Sequence, residues 1–269
     1  MENQGHAGRR WFRPASSLLR GPPAYRALSP WRPGLALLAT IAIVALSFGG
    51  AALLTGLGGD SGLVELPKPG RGGALDAATG TLQVFAVWQV LVVVLTVLSS
   101  TFFRGRVCDV LALRTATGGW RAYAGAVLAL VGLQIVLAVV QQGLLKHDVM
   151  TDLRPFVNLI RGPEWALTAM VVGIGAPLSE ELLFRGFLLS ALAHTALGFW
   201  GAAVVATLLW TGLHAGYSLV GIIEVFIIGM FFSWLLWRTG SLRVAIFCHA
   251  LYNSAIVLAL RFVDLPGQG

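Results

Sequence analysis

Long apolar runs alternate along the chain with short polar or Gly- and Pro-bearing segments, and the runs have the length of membrane-crossing helices. They predict spans at about residues 34–57, 82–103, 123–145, 164–192, 199–214, 219–237 and 244–262. Between them, residues 58–80 carry Gly, Pro and mixed charge and read as a loop. Pro155 and Pro163 predict a helix-broken connection over 146–163, and a turn is expected at Gly240. The expected fold class is all-α, a polytopic membrane helix bundle of about seven transmembrane helices.

Composition agrees with this pattern, since 57% of the 269 residues are hydrophobic and only 12% are charged. In a soluble globule about a quarter are charged. No fixed-period repeat is present.

Charge orients the runs. Arg9, Arg10, Arg13, Arg20, Arg26 and Arg32 precede the first span, and Arg104, Arg106, Arg114 and Arg121 face a single acid, Asp109, in the loop after the second. The positive-inside rule puts both segments in the cytoplasm. Residues 146–163 balance Lys146, Arg154 and Arg161 against Asp148 and Asp152 and are assigned outside. The expectation is a multi-pass protein of the cell (plasma) membrane with a cytoplasmic N-terminus. Residues 1–33 form a mobile basic cytoplasmic tail, 34–160 the N-terminal transmembrane helices and 161–263 the core that carries chemistry. Topology thus accounts for the net charge of +7, and no nucleic-acid partner is expected. The first apolar run is longer than a signal-peptide core and is taken as retained. Cys108 and Cys248 have no CxxC partner, so neither a disulfide framework nor a thiolate metal site is expected.

The fourth run contains Ser179, Glu180, Glu181 and Arg185 inside otherwise apolar sequence. Ionised side chains at bilayer depth cost roughly 2.5–3.5 kcal/mol each on insertion scales, so they pair, face the protein interior and carry function. Glu181 and Arg185 are four apart on one helix face and favour each other, which leaves Glu180 freer to act as a base. With a hairpin turn at Leu197–Gly198, Glu181 and His214 each lie about sixteen residues from the turn, roughly 24 Å, and can meet. His249 and Asn253 share a face of the seventh span. A depth count puts His249 about 10 Å nearer the cytoplasm than His214. The difference is absorbed if the hairpin projects into water, with Ser190, His194 and Thr195 wet. The bland alternatives are a structural ion-pair network for the glutamates and arginine, a lone core histidine at 214, and interhelical hydrogen bonds from His249 and Asn253.

Taken in order, Glu180-Glu181-xxx-Arg185, Trp210-xxx-His214 and His249-xxx-Asn253 resemble the three-motif signature of the CAAX-processing and bacteriocin-processing (CPBP, or Abi) intramembrane protease family. The resemblance covers about residues 165–260, and Trp210 stands where the second motif usually begins with Phe. It implies an intramembrane endopeptidase acting on a membrane-associated peptide or protein at the lipid bilayer. In such an enzyme Glu180 and His214 would activate water while His249 and Asn253 stabilise the oxyanion. Eukaryotic relatives imply trimming of prenylated CAAX proteins, and bacterial ones peptide-toxin maturation or immunity. No cofactor is favoured, because the chain lacks HExxH and Asn253 is a poor metal ligand. A zinc site of Glu180, His214 and His249 is the alternative. Other function classes are a proton-coupled secondary transporter, disfavoured by the absence of two corresponding halves with broken helices, and a non-catalytic membrane scaffold.

Overall fold

The structure, a computed structural model, describes residue 18 and residues 22–61, 74–148 and 150–263. Every regular element among them is helical. In chain order they are α1 (Pro33–Ser61), α2 (Ala74–Ser100), the short α3 (Val107–Val110), α4 (Trp120–Leu144), α5 (Arg154–Arg161), α6 (Trp165–Leu192), α7 (Gly198–Gly212), α8 (Leu219–Thr239) and α9 (Leu242–Phe262). Six of these are long and apolar enough to cross a membrane, and the 15-residue apolar α7 makes a seventh plausible. Apolar side chains such as Leu38, Leu46, Leu128 and Met170 point outward from the bundle, as a hydrocarbon solvent allows.

The glutamate helix α6 is the centre. Half of its apolar window is buried (50%), against 22%, 22% and 17% for α1, α2 and α4. It packs against α1, α2, α7 and α9. Ser218 caps α8 by accepting from the Gly221 N–H at 3.1 Å, and Gly240 ends it with φ +65°.

Three expectations are corrected. Residues 22–32 of the presumed mobile tail dock on the bundle. The N–H groups of Ala24 and Tyr25 donate to Trp237 O at 3.2 Å, and Trp31 Nε1 donates to Ser99 O at 3.0 Å. Tyr25 and Trp31 carry apolar rings that bury against Phe199 and Phe187, each pair 5.0 Å between centroids. Second, Pro155 begins a helix instead of breaking one. It sits in the first turn of α5, where its missing N–H costs nothing. Third, the α6–α7 hairpin does run past the start of α9, since a Cβ on Gly186 would lie 3.0 Å from Leu242, the first residue of α9. Ser190 is nonetheless not wet, being 1% exposed, while His194 is exposed. The docked segment covers that part of the projection. Residues 1–17 and 19–21 of the expected tail, and most of the 58–80 loop, lie outside the described residues.

Candidate active site

Proline shapes the helix that carries the carboxylates. Pro177 has no N–H to donate and its ring crowds the preceding turn. Over Val171–Gly175 the backbone widens to i→i+5 hydrogen bonding, with Ala176 N bonded to Val171 O. A second wide stretch covers Glu181–Leu188. Such insertions are frequent at functional sites. In this register the donor for Val172 O would be residue 177, so that carbonyl is orphaned. Asn253 Nδ2 of α9 donates to it at 3.0 Å, and Ser254 Oγ donates to Gly173 O at 3.4 Å. The close approach depends on Gly173, where a Cβ would lie 2.7 Å from Ser254 Oγ.

The two glutamates fall in unlike environments. Glu181 and Arg185 are both 0% exposed, and Arg185 Nη1 donates to Glu181 Oε1 at 3.2 Å, as the four-residue spacing predicts. The Arg185 guanidinium lies 4.2 Å from the centre of the Trp210 ring, an arrangement worth about 2 kcal/mol when desolvated. Gly229 of α8 makes room for it, since a Cβ there would stand 2.7 Å from Arg185 Nη2 and 2.6 Å from Thr207 Cγ2. The Glu180 side chain retains 11% exposure, and its Oε2 accepts from Trp210 Nε1 at 2.6 Å.

His249 joins the pair from α9. Its Nδ1 is 3.0 Å from Glu181 Oε1, and its Nε2 is 3.9 Å from Glu180 Oε2, too long for a hydrogen bond. Nε2 is the nitrogen turned to Glu180, and Nδ1 can donate to the Glu181 carboxylate in the tautomer that carries the hydrogen there. Phe232 stacks on the imidazole at 4.7 Å and Trp210 meets it edge-on at 5.7 Å, which fixes the ring plane.

Glu180, Glu181, Arg185 and His249 are therefore brought together. His214 is not in hydrogen-bond contact with Glu180: its Nδ1 lies 3.3 Å from Trp210 O, and its half-buried ring packs between Trp210 at 5.0 Å and Tyr217 at 5.4 Å. Asn253 spends its amide on Val172. Among the described residues no group of three His, Cys, Asp or Glu side chains converges to hold a metal ion.

Sequence reasoning passed over three participants. Trp210 stands in the sequence as an aromatic replacement, whereas its indole N–H holds Glu180. Gly229 carried no signal. Glu224, a carboxylate one turn into an apolar run, did carry one. Its Oε2 accepts from Gln141 Nε2 at 2.8 Å and its Oε1 from Tyr252 at 3.5 Å. Tyr217, between α7 and α8, has its hydroxyl pushed up to about 12 by burial and then by the charges of Glu180, Asp152 and Glu224.

Comparison with known proteins falls on this segment. Residues 162–255 match the Rce1-like family, described as type II CAAX prenyl endopeptidase Rce1-like. The resemblance carried by the three motifs is thereby shown over the part of the chain that holds them, Glu180 to Asn253. A relative from Escherichia coli, named as an uncharacterized 24.3 kDa protein, is 33% identical over 89 residues, 32% of this chain and 41% of that protein. The match thus spans under half the length of that curated relative. No solved structure matches.

Proposed function

We propose that the chain is an intramembrane endopeptidase of the Rce1-like kind, hydrolysing a peptide bond of a membrane-associated protein or peptide with a water activated by Glu180. The observation that carries this reading is the unequal pair. One carboxylate is fully buried against Arg185 and His249, and its neighbour keeps 11% exposure, with His249 Nε2 at 3.9 Å.

In this reading Trp210 fixes one oxygen of Glu180 so that the other takes the proton from water as the water oxygen attacks the scissile carbonyl carbon. Glu181 orients His249 through Nδ1. When His249 is protonated on both nitrogens, its Nε2–H donates to the oxyanion of the tetrahedral intermediate. The proton held by Glu180 then passes to the leaving amine as the C–N bond breaks. Arg185 holds Glu181 in place. His214, with its ring against Trp210, borders the path by which water reaches Glu180, and Asn253 acts by fixing α9 against α6. Neither of the last two needs to touch the reacting atoms.

The test uses purified protein in detergent with a panel of membrane-peptide reporters. Glu180→Gln keeps the size of the side chain and is expected to abolish cleavage with the protein still folded. Turnover at the wild-type rate in that variant would overturn the assignment.

A further inference from the structure

We infer that Glu224 is a second point of substrate contact, a carboxylate that receives the side chain of a Lys or Arg lying two or three residues from the scissile bond. The inference deepens the endopeptidase reading above and rests on it for the identity of the ligand as a peptide.

Three carboxylates fall inside the membrane-length spans: Glu180, Glu181 and Glu224. The first two belong to the site already described. Glu181 has Arg185 as its cation, and Glu180 stands beside His249. Glu224 has neither. Its Oε2 accepts from Gln141 Nε2 at 2.8 Å and its Oε1 from the Tyr252 hydroxyl at 3.5 Å, both neutral donors. Among the described residues no Lys, Arg or His forms an ion pair with it. A carboxylate within a membrane span calls for a cationic partner, and this chain brings none to it.

The carboxylate is held in a fixed place. Gln141 is 4% exposed, and His147 N donates to its carbonyl at 2.9 Å, which closes the end of α4 over the side chain. Helices α4, α8 and α9 thus contribute one member each to the cluster. Two routes measure its distance from the glutamate pair. Tyr252 follows His249 by three residues on α9, so the two share a face and lie about 4.5 Å apart along the axis. On α8, Phe232 stacks on His249 at 4.7 Å, and Glu224 precedes Phe232 by eight residues, about 12 Å. Both routes lead away from the Gly240 turn. Two or three residues of extended peptide, at roughly 3.3 Å each, cover a distance between those limits.

The shape beside Glu224 suits a long cationic side chain. An apolar groove of about 390 Å³ runs between α4 and α9, lined by Leu130, Ile135, Ala138, Leu251 and Tyr252. Tyr252 therefore belongs to the groove and reaches Glu224 with its hydroxyl. Lys and Arg combine an apolar stem with a charged head, which matches an apolar wall ending in a carboxylate. A neutral residue in the same place leaves Glu224 without a cation, and an acidic one adds repulsion. Discrimination by charge follows. The ammonium of an aminophospholipid shares this chemistry, and the shared face with His249 favours the peptide.

The experiment compares apolar peptide reporters that differ only by Lys or Gln at single positions on either side of the cleaved bond. At one position the wild type is expected to prefer Lys at least tenfold in kcat/KM, expressed in KM. Glu224→Gln keeps the hydrogen bonds and removes the charge, so the Lys/Gln ratio should fall to about one, while Glu224→Asp should retain the preference. A purely structural Glu224 would lower both reporters together with the ratio intact, and that result would overturn the inference. So would a wild-type ratio near one at every position. A melting shift on adding phosphatidylethanolamine that Glu224→Gln removes, with Lys and Gln reporters handled alike, would overturn it in favour of a lipid ammonium. Peptide affinity is read separately in Glu180→Gln protein, where the Lys peptide should bind at least tenfold tighter than the Gln peptide and lose that advantage on adding Glu224→Gln. Equal affinities there refute the subsite, whereas absence of cleavage by the wild type with this preference in binding would refute the endopeptidase reading alone.

Discussion

Asn253 supplies to α6 the hydrogen bond that Pro177 cannot make. Val172 O, five residues before the proline in a stretch of i→i+5 register, accepts from Asn253 Nδ2 at 3.0 Å. A residue that the family resemblance places at the oxyanion thus has a structural task in this chain. Leaving a buried carbonyl unpaired costs about 1–3 kcal/mol.

Asn253→Leu should therefore lower thermal stability in detergent by that amount. Adding Pro177→Ala, which restores an N–H at position 177, should recover about 1 kcal/mol of it, read as a coupling in the double-mutant cycle. Loss of turnover in Asn253→Leu with unchanged melting and no coupling would instead place the amide at the reacting atoms.

The span pattern was legible because hydropathy depends on nothing distant. The Glu181–Arg185 pair was legible because four residues of helix bring them to one face. What escaped depends on tertiary packing. Residues 22–32 read as a polar tail, yet Trp31 and Tyr25 find Phe187 and Phe199 far along the chain. Leu111 sits among arginines in sequence and is 0% exposed in the fold. The expected meeting of Glu181 and His214 assumed uniform α-helical rise from a common turn. The widened stretch at Glu181–Leu188 breaks that assumption, and Trp210 takes the place next to Glu180.

Gly229 gives the second prediction. A methyl group there meets Arg185 Nη2, Trp210 Cζ3 and Thr207 Cγ2 at 2.7, 2.7 and 2.6 Å, and all three belong to side chains buried in the bundle. Gly229→Ala should cost about 1–3 kcal/mol of stability through overpacking and displace the guanidinium from Glu181. Thermal unfolding and steady-state protein level measure it. A variant as stable and active as the parent would show that Arg185 has more room than the packing allows.

Arg185 and Glu180 should separate on the same measurements. Removing the arginine leaves Glu181 buried without its ion-pair partner, which costs about 3–5 kcal/mol, so Arg185→Leu should accumulate poorly. Glu180→Gln keeps the acceptor for Trp210 Nε1 and removes a charge, so its level should match the parent while cleavage is lost. Equal accumulation of both variants would contradict the division of labour between the adjacent carboxylates.

Metal dependence is the last prediction, and it turns on how the imidazoles are already engaged. A zinc site needs its ligand atoms about 2 Å from one point, so three ligand atoms stand within a few ångströms of one another. His249 turns Nδ1 to Glu181 Oε1 at 3.0 Å, and His214 places Nδ1 at 3.3 Å from Trp210 O. Glu180 Oε2 is taken by Trp210 Nε1, and the Arg185 cation lies against the same indole. Gathering Glu180, His214 and His249 around a cation would require the three side chains to close on one point, whereas among the described residues no three such side chains converge. Water activation by Glu180 requires no such rearrangement. Exhaustive chelation of purified protein should therefore leave cleavage within about twofold of the untreated rate, and metal analysis should find zinc well below one equivalent. Loss of activity restored by stoichiometric zinc, with zinc content abolished by His214→Ala and by His249→Ala, would establish the metal site and displace the glutamate mechanism.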